Sequence, residues 1–214
     1  MEGDRGAGGA GEAPWRLFVA VELSEEARGA LAEAQTVCRR RCDPPVRWVD
    51  PRGAHLTLKF LGDVAAERVQ PLAEALTAVA AAHVPFHLST GPAGVFPSPR
   101  RPRVLWLGVA GPVECLEDLQ QDVEFALHSL GFTLDGRPYR PHLTLGRVRD
   151  GVTGELPGLA GALEELRRAT PAPLPVEELR LMRSELGRGD RGGPRYTALT
   201  VAPLGARTLS RTGE

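Results

Sequence analysis

The sequence predicts an α+β fold built from two related lobes that face each other. Strand and helix patterns are mixed along the chain, without the regular strand–helix repeat that gives a doubly wound parallel sheet. In each half, a strand and a helix are followed by a strand that begins His-Leu-Thr-Leu, at His55 and again at His142. The 214 residues suffice for one large domain or for two small lobes that share a cleft.

The domain boundaries follow from composition. Residues 1–13 contain many glycines and few large apolar side chains, so they cannot bury enough surface to offset the entropy lost on ordering. We therefore expect a disordered glycine-rich tail over 1–13, a single bilobal domain over 14–206 and a flexible C-terminus over 207–214.

The first predicted elements are a buried strand over 16–21 and an amphipathic helix that ends near Arg40. Ser24 is a suitable N-cap for this helix, because its hydroxyl can accept a hydrogen bond from an unpaired N–H of the first turn. Apolar residues at helical spacing predict the buried stripe, which comprises Ala27, Leu31, Ala34 and Cys38.

The later elements follow from the same kinds of signal. The remaining helices are predicted from apolar residues at helical period and from Gly, Pro and Asp near their ends. They span roughly 64–82, the segment from Gly111-Pro112 to Gly131, and about 158–169. The remaining strands are predicted from apolar and β-branched runs bounded by turn residues. They cover 46–49, 55–60, 86–90, 104–109, 142–148, 176–186 and 196–202.

Charge and cysteine content limit the classes of protein to consider. The formal net charge of −1 excludes a generally basic coat, so any contact with RNA depends on local clusters of arginine. Cys38, Cys42 and Cys115 are an odd, sparse set that argues against a disulfide framework and lacks the spacing of a zinc site. No transmembrane span or secretory signal is recognisable. We expect a cytoplasmic monomer without a membrane partner.

The repeated tetrapeptide carries the chemistry. Successive side chains of a strand point to opposite faces, so His55 and Thr57 share one face, as do His142 and Thr144, while the leucines face the core. Histidine can donate or accept a proton near neutral pH, and each such role contributes typically about 10²–10⁴-fold to a rate. Two imidazoles across a cleft therefore suit hydrolysis of a phosphodiester, with threonine hydroxyls and Arg147 binding the phosphate oxygens.

A single His-Leu-Thr-Leu segment is more typical of an ordinary half-buried strand than of a catalytic one. Two identical copies at equivalent places in two lobes are much harder to explain by packing alone. A non-catalytic RNA-binding or nucleotide-binding module remains an alternative. Retention of both histidines and both threonines argues against it, since a binding module could lose either imidazole.

At these residues the chain resembles the 2H phosphoesterases, and within them the bacterial and archaeal RNA 2′,3′-cyclic phosphodiesterases, also called 2′-5′ RNA ligases. The resemblance covers about residues 16 to 204. Its motifs, in order, are RLFVAVELSEEAR, VRWVDPRGAHLTLKFLGDV, GVFPSPRRPRVLWLGV, RPYRPHLTLGRV and LMRSEL followed by GPRYTAL.

The resemblance implies a bilobal fold with pseudo-twofold symmetry, in which antiparallel sheets line a central cleft and helices lie outside. It implies hydrolysis of RNA 2′,3′-cyclic ends to 2′-phosphomonoesters without metal or cofactor. By position, His55 is the proton donor to the leaving 3′-oxygen and His142 the proton acceptor from water. Thr57, Thr144 and Arg147 would bind phosphate. The alternatives are 2′-5′ RNA ligation at the same site, or cyclic phosphodiesterase action on a small nucleotide such as ADP-ribose 1″,2″-cyclic phosphate.

Other polar and aromatic residues are candidates for contacts with RNA. Phe96 and Tyr196 could stack on a base at the cleft rim, although core packing is favoured for Phe96. Arg100 and Arg101 could contact the RNA backbone. Trp48 and Trp106 alternate with apolar neighbours and are expected in the core.

Overall fold

The structure, a computed structural model, describes residues 13–42, 45–187 and 193–205. Within these ranges it contains nine β-strands and four α-helices. In chain order they are β1 (Trp15–Glu22), α1 (Glu25–Cys42), β2 (Val46–Trp48), β3 (His55–Val64), α2 (Val69–Ala82), β4 (Phe86–Phe96), β5 (Val104–Ala110), α3 (Val113–Ser129), β6 (His142–Val148), α4 (Leu159–Leu166), β7 (Pro173–Val176), β8 (Glu178–Glu185) and β9 (Arg195–Pro203). The tail predicted over 1–13 and the C-terminus predicted over 207–214 lie outside the described residues, except for Ala13.

The strands form two antiparallel sheets, which confirms the predicted α+β class. The first sheet has the order β3-β1-β8-β9, and the second has the order β2-β6-β5-β4-β7. Every strand pair is antiparallel. Each sheet therefore contains one His-Leu-Thr-Leu strand, β3 in the first and β6 in the second.

The two lobes interleave along the chain, so they are not its N- and C-terminal halves. The first sheet begins with β1 and β3 and is completed only by β8 and β9 from the other end of the chain. The helices also cross over. Helix α1 follows β1 but contacts β4, β6 and β7 of the second sheet, whereas α3 follows β5 but contacts β3 of the first. This exchange of helices locks the two lobes together.

The sequence signals for α1 and α3 are confirmed. The Ser24 hydroxyl accepts a hydrogen bond from the Ala27 N–H at 3.1 Å, as an N-cap should. The predicted stripe of α1 is buried throughout, and α3 buries apolar residues at helical spacing, namely Leu116, Leu119, Val123 and Leu127. No helix in the described part of the chain is long and apolar enough to cross a membrane.

Several predicted boundaries were wrong. Strand β3 continues to Val64 through Gly62, which has a φ of +72°, and α2 begins only at Val69. Strand β4 runs past its predicted end at 90 to Phe96, because an irregularity between Thr90 and Ala93 accommodates the intervening glycine and proline. The strand predicted over 176–186 corresponds to β8 of the first sheet, whereas the short strand β7 of the second sheet, Pro173–Val176, was not predicted.

Candidate active site

His55 is the first residue of β3 and follows a 3-10 turn over Pro51–Gly53. Its Nδ1 lies 3.0 Å from the carbonyl oxygen of Gly53. A carbonyl oxygen can only accept a hydrogen bond, so Nδ1 carries the hydrogen. The other ring nitrogen, Nε2, is then the one that can exchange a proton with a substrate.

His142 repeats this arrangement in the second lobe. It is the first residue of β6, and its Nδ1 lies 2.7 Å from the carbonyl oxygen of Arg140. In both lobes the imidazole is therefore held by the carbonyl two residues earlier in the chain. The repeated motif thus fixes the tautomer and the orientation of each ring, and not only its position.

Aromatic rings enclose both imidazoles. The ring of His55 lies 4.5 Å from Phe18 and 5.0 Å, edge-on, from Tyr196. The ring of His142 lies 5.1 Å, edge-on, from Phe96 and 6.5 Å from Trp106. Each histidine is therefore flanked by one aromatic ring from the neighbouring strand and one from a more distant strand of the same sheet.

This enclosure changes how the histidines titrate. Desolvation lowers the pKa of His55, although its hydrogen bond to Gly53 opposes the effect. Desolvation also lowers the pKa of His142; the hydrogen bond to Arg140 opposes it, and the positive charge of Arg147 lowers it further. Both imidazoles are therefore predominantly neutral at pH 7 in the absence of a ligand.

The threonines lie where strand alternation places them. Thr57 and Thr144 are half-buried, between leucines that are fully buried. We call the side of each sheet that bears the histidine and the threonine its cleft face. Trp106 is the cross-strand partner of Thr144, so it also lies on the cleft face and not in the core, contrary to expectation.

A β-bulge determines where Arg147 points. In a regular strand, Arg147 would face away from His142, because the two are five residues apart. The pairing of β5 with β6 passes from Thr144 to Gly146 and omits Leu145, so one residue is unpaired. Arg147 is consequently exposed on the cleft face, between the buried Gly146 and Val148.

The first lobe has the same bulge. The pairing of β1 with β3 passes from Thr57 to Lys59 and omits Leu58. The position that corresponds to Arg147 is occupied by Phe60, whose side chain is 62% exposed. Lys59 is buried and bonded to Glu124, so it is a structural cation and not a counterpart of Arg147.

The two cleft faces approach each other. Strands β3 and β6 are in contact, although they belong to different sheets. The hydroxyl of Tyr139, just before β6, donates to the carbonyl oxygen of Thr57 at 3.0 Å. Desolvation raises the pKa of Tyr196, the residue packed against His55. The positive charge of Arg147 opposes this effect. The guanidinium of one lobe therefore acts electrostatically on an aromatic residue of the other.

The remaining predicted contacts are distributed unevenly. Phe96 and Tyr196 each contact a histidine, whereas Arg100 and Arg101 are exposed in the turn after β4. Sequence reasoning missed Phe18 and Tyr139. Phe18 sits inside an apolar strand with nothing to mark it, and Tyr139 could have been noticed only as a polar aromatic shortly before His142.

Across the described ranges, no group of three or more His, Cys, Asp or Glu side chains is placed to hold a metal ion.

Two interleaved lobes, each with a His-x-Thr pair on its cleft face, define the class of two-histidine phosphoesterases. The comparison with known proteins makes the assignment more specific. The chain belongs to the 2′-5′ RNA ligase superfamily, whose family model matches residues 21–188.

The similar proteins cover nearly the whole chain. An RNA 2′,3′-cyclic phosphodiesterase of Methanothermobacter thermautotrophicus is 37% identical over 189 residues, which are 88% of this chain and 98% of that protein. The crystal structure of TT0787 of Thermus thermophilus has a TM-score of 0.71 and 30% identity, over 90% of this chain and 99% of that one. Escherichia coli LigT, crystallised with 3′-AMP, has a TM-score of 0.63 and 30% identity, over 89% and 98%.

Proposed function

We propose that this protein hydrolyses the 2′,3′-cyclic phosphate at RNA ends to a 2′-phosphomonoester, with His55 and His142 as a general acid–base pair and without a metal ion. The observation that carries the proposal is the matched anchoring of the two imidazoles. Both hold Nδ1 on a backbone carbonyl and leave Nε2 for proton exchange, one from each lobe.

The reaction requires one proton to be removed and one to be supplied. His142 Nε2 takes a proton from a water molecule, whose oxygen forms a bond to phosphorus. The bond from phosphorus to the ribose 3′-oxygen breaks, and His55 Nε2 gives its proton to that oxygen. The phosphate stays on the 2′-oxygen, and transfer of one proton from His142 to His55 through solvent restores both groups.

The phosphate oxygens gain negative charge as water attacks. Thr57 and Thr144 can donate hydrogen bonds to them from the two cleft faces, and Arg147 supplies a positive charge on the side of His142. Phe96 and Tyr196 are proposed to contact a base next to the histidines, and Arg100 and Arg101 to contact the RNA backbone. Stacking of a base on an aromatic ring contributes about 1–3 kcal/mol.

The names of related proteins support the substrate class. The Methanothermobacter relative is named an RNA 2′,3′-cyclic phosphodiesterase, and LigT was crystallised with a nucleoside monophosphate. A second candidate function is 2′-5′ ligation at the same site, with a 5′-hydroxyl of RNA in place of water. The family name, 2′-5′ RNA ligase superfamily, favours it.

Substitution of the histidines tests the mechanism. We expect His55→Ala and His142→Ala each to lower kcat by about 10²-fold or more on RNA with a 2′,3′-cyclic end. The melting temperature should stay close to that of the wild type, and His87→Ala, at an exposed position of β4, serves as the control. Wild-type activity should be undiminished in EDTA. Full activity in either cleft variant would disprove the acid–base pair.

A panel of substrates identifies the reaction. Cyclic-ended RNA, 2′,3′-cyclic mononucleotides and ADP-ribose 1″,2″-cyclic phosphate would be compared by kcat/KM. A 5′-hydroxyl RNA would be added in a parallel assay for ligation. The proposal requires hydrolysis of the cyclic-ended RNA. Tight binding of that RNA with no turnover over hours would indicate a binding module.

A further inference from the structure

A second arginine, Arg47, lies beside Arg147. Arg47 of β2 is the direct cross-strand partner of Arg147 in β6. Directly opposed residues of an antiparallel pair share a face, with Cα atoms about 4.5–5.5 Å apart. Both arginines are exposed, whereas the next pair along the strands, Val46 and Val148, faces the other way and is buried. Arg47 therefore lies on the cleft face.

This arrangement places two like charges directly opposite each other. Such a pair destabilises a sheet unless other groups balance it. Among the described residues, no carboxylate is within ion-pair distance of either guanidinium. Asp50, which follows β2 closely, is bonded to Arg52 at 2.7 Å. The described part of the chain thus supplies no anion to the pair.

The backbones of β2 and β6 are held close together at this pair. The buried amide of Gln35 donates to the carbonyl oxygens of both Val49 and Leu145, at 2.8 and 2.9 Å, just beyond the pair. Gly146 packs so closely on β2 that a Cβ there would lie 2.9 Å from the carbonyl oxygen of Arg47. The opposed backbone positions of the two arginines are therefore a fixed feature of the fold.

The position of β2 indicates where the second charge acts. β2 is the edge strand of the second sheet, next to β6, so Arg47 is one strand farther from His142 than Arg147 is. A ligand phosphate at Arg147 would have its neighbouring phosphate within reach of Arg47 if the chain left the cleft over this edge. Arginine recognises phosphate well because its planar guanidinium can donate two parallel hydrogen bonds.

We propose that Arg47 binds the phosphodiester that precedes the cyclic end, so that the cleft selects an RNA chain over a free cyclic mononucleotide. This inference rests on the proposed function, because it takes the reactive phosphate to lie at Arg147. An RNA chain supplies one phosphate to each guanidinium. A cyclic mononucleotide has a single phosphate and leaves Arg47 without an anion.

A kinetic ratio tests the selection. The kcat/KM for a short RNA with a 2′,3′-cyclic end is divided by that for the 2′,3′-cyclic mononucleotide with the same base. We expect Arg47→Gln to lower this ratio by about tenfold or more, since a charge-assisted hydrogen bond is lost only with the RNA. Arg167→Gln, at an exposed position after α4, removes the same charge and should leave the ratio unchanged. An unchanged ratio in Arg47→Gln would overturn the inference.

A binding measurement separates this inference from the proposed function. Affinity for a short RNA with a 2′-phosphate end, which is not turned over, is measured as a function of salt concentration. Loss of one phosphate contact should reduce the steepness of log K against log salt by about 0.7 in Arg47→Gln, and Arg47→Lys should restore most of it. An unchanged slope in a folded variant would overturn the phosphate site. If the slope changes but the wild type hydrolyses no cyclic end, the proposed function fails and the phosphate site stands.

Discussion

His55 and His142 have the same backbone anchor but different electrostatic surroundings. Desolvation lowers the pKa of both imidazoles, and the charge of Arg147 adds to this effect at His142. In the pH profile of kcat/KM, the base must be neutral and the acid must be protonated. Because both pKa values are lowered, the optimum for the free enzyme should lie below the ordinary histidine pKa of about 6.5.

The charge of Arg147 can therefore show which limb of this profile belongs to His142. Removing it in Arg147→Gln should raise the pKa of His142, because a neighbouring positive charge no longer disfavours the imidazolium. The limb of the kcat/KM profile that His142 controls should then move to higher pH, while kcat/KM itself falls because a phosphate contact is lost. Titration of His142 by NMR should show the same direction of shift. An unshifted profile in Arg147→Gln would contradict a titrating role for His142, and Arg167→Gln should move neither limb.

At the scale of the strand, the bulges explain why the active site has its shape. The sequence was sufficient to predict both His-Leu-Thr-Leu strands and the face that each histidine shares with its threonine, because alternation is a local property. The bulges at Leu58 and Leu145 depend on how β1 and β5 pair with these strands. The side to which Arg147 points could therefore not be derived from spacing.

Gly146 tests the importance of the contact between β2 and β6. In Gly146→Ala the new Cβ would lie 2.5 Å from Val46 Cγ1 and 2.9 Å from the Arg47 carbonyl oxygen, so β2 must shift. We expect the free energy of unfolding to fall by about 1–3 kcal/mol, as for other overpacked sites. Affinity for RNA should fall as Arg47 moves.

Gly29 supplies a control with the opposite expected sign. It lies on the exposed side of α1, with no atom within 4 Å of an added Cβ. Gly29→Ala should therefore raise the free energy of unfolding by about 0.5–1 kcal/mol, because alanine favours a helix. Chemical denaturation measures both variants, and equal stability of Gly146→Ala and the wild type would show that β2 accommodates the methyl group without displacement.

At the scale of the whole molecule, contacts between the interleaved parts of the chain determine how far apart the two histidines lie. The segment between α3 and β6 is attached to the strand of the other lobe. The Lys59 ammonium of β3 donates to Glu124 at 2.6 Å and to the Thr133 carbonyl oxygen at 2.9 Å. Tyr139 makes the second attachment, to Thr57. The pseudo-symmetry could be predicted from the repeated motif. These contacts could not, because they join residues that are distant in sequence and no local sequence pattern indicates them.

Tyr139→Phe tests whether this attachment positions the catalytic groups. The variant keeps the ring and removes only the hydroxyl that holds the segment before His142 against the strand of His55. Burial raises the pKa of Tyr139, so its hydroxyl is a donor throughout the working pH range. Since a misplacement of about 1 Å can cost 10²-fold, we expect kcat to fall roughly tenfold with little change in KM. The free energy of unfolding should fall by about 1 kcal/mol, as for one lost hydrogen bond.

Thr90→Val is the matched control for this loss of stability. It removes a hydrogen bond between Thr90 Oγ1 and the Ala172 N–H, at the edge of the second sheet that is remote from β6. Both variants should lose similar stability, but only Tyr139→Phe should lower kcat. A general loss of order would lower kcat in both, which would make Tyr139 structural. A loss of kcat in Tyr139→Phe alone would mean that the Tyr139 hydroxyl sets the distance between the two imidazoles, because the ring and both histidines remain in this variant.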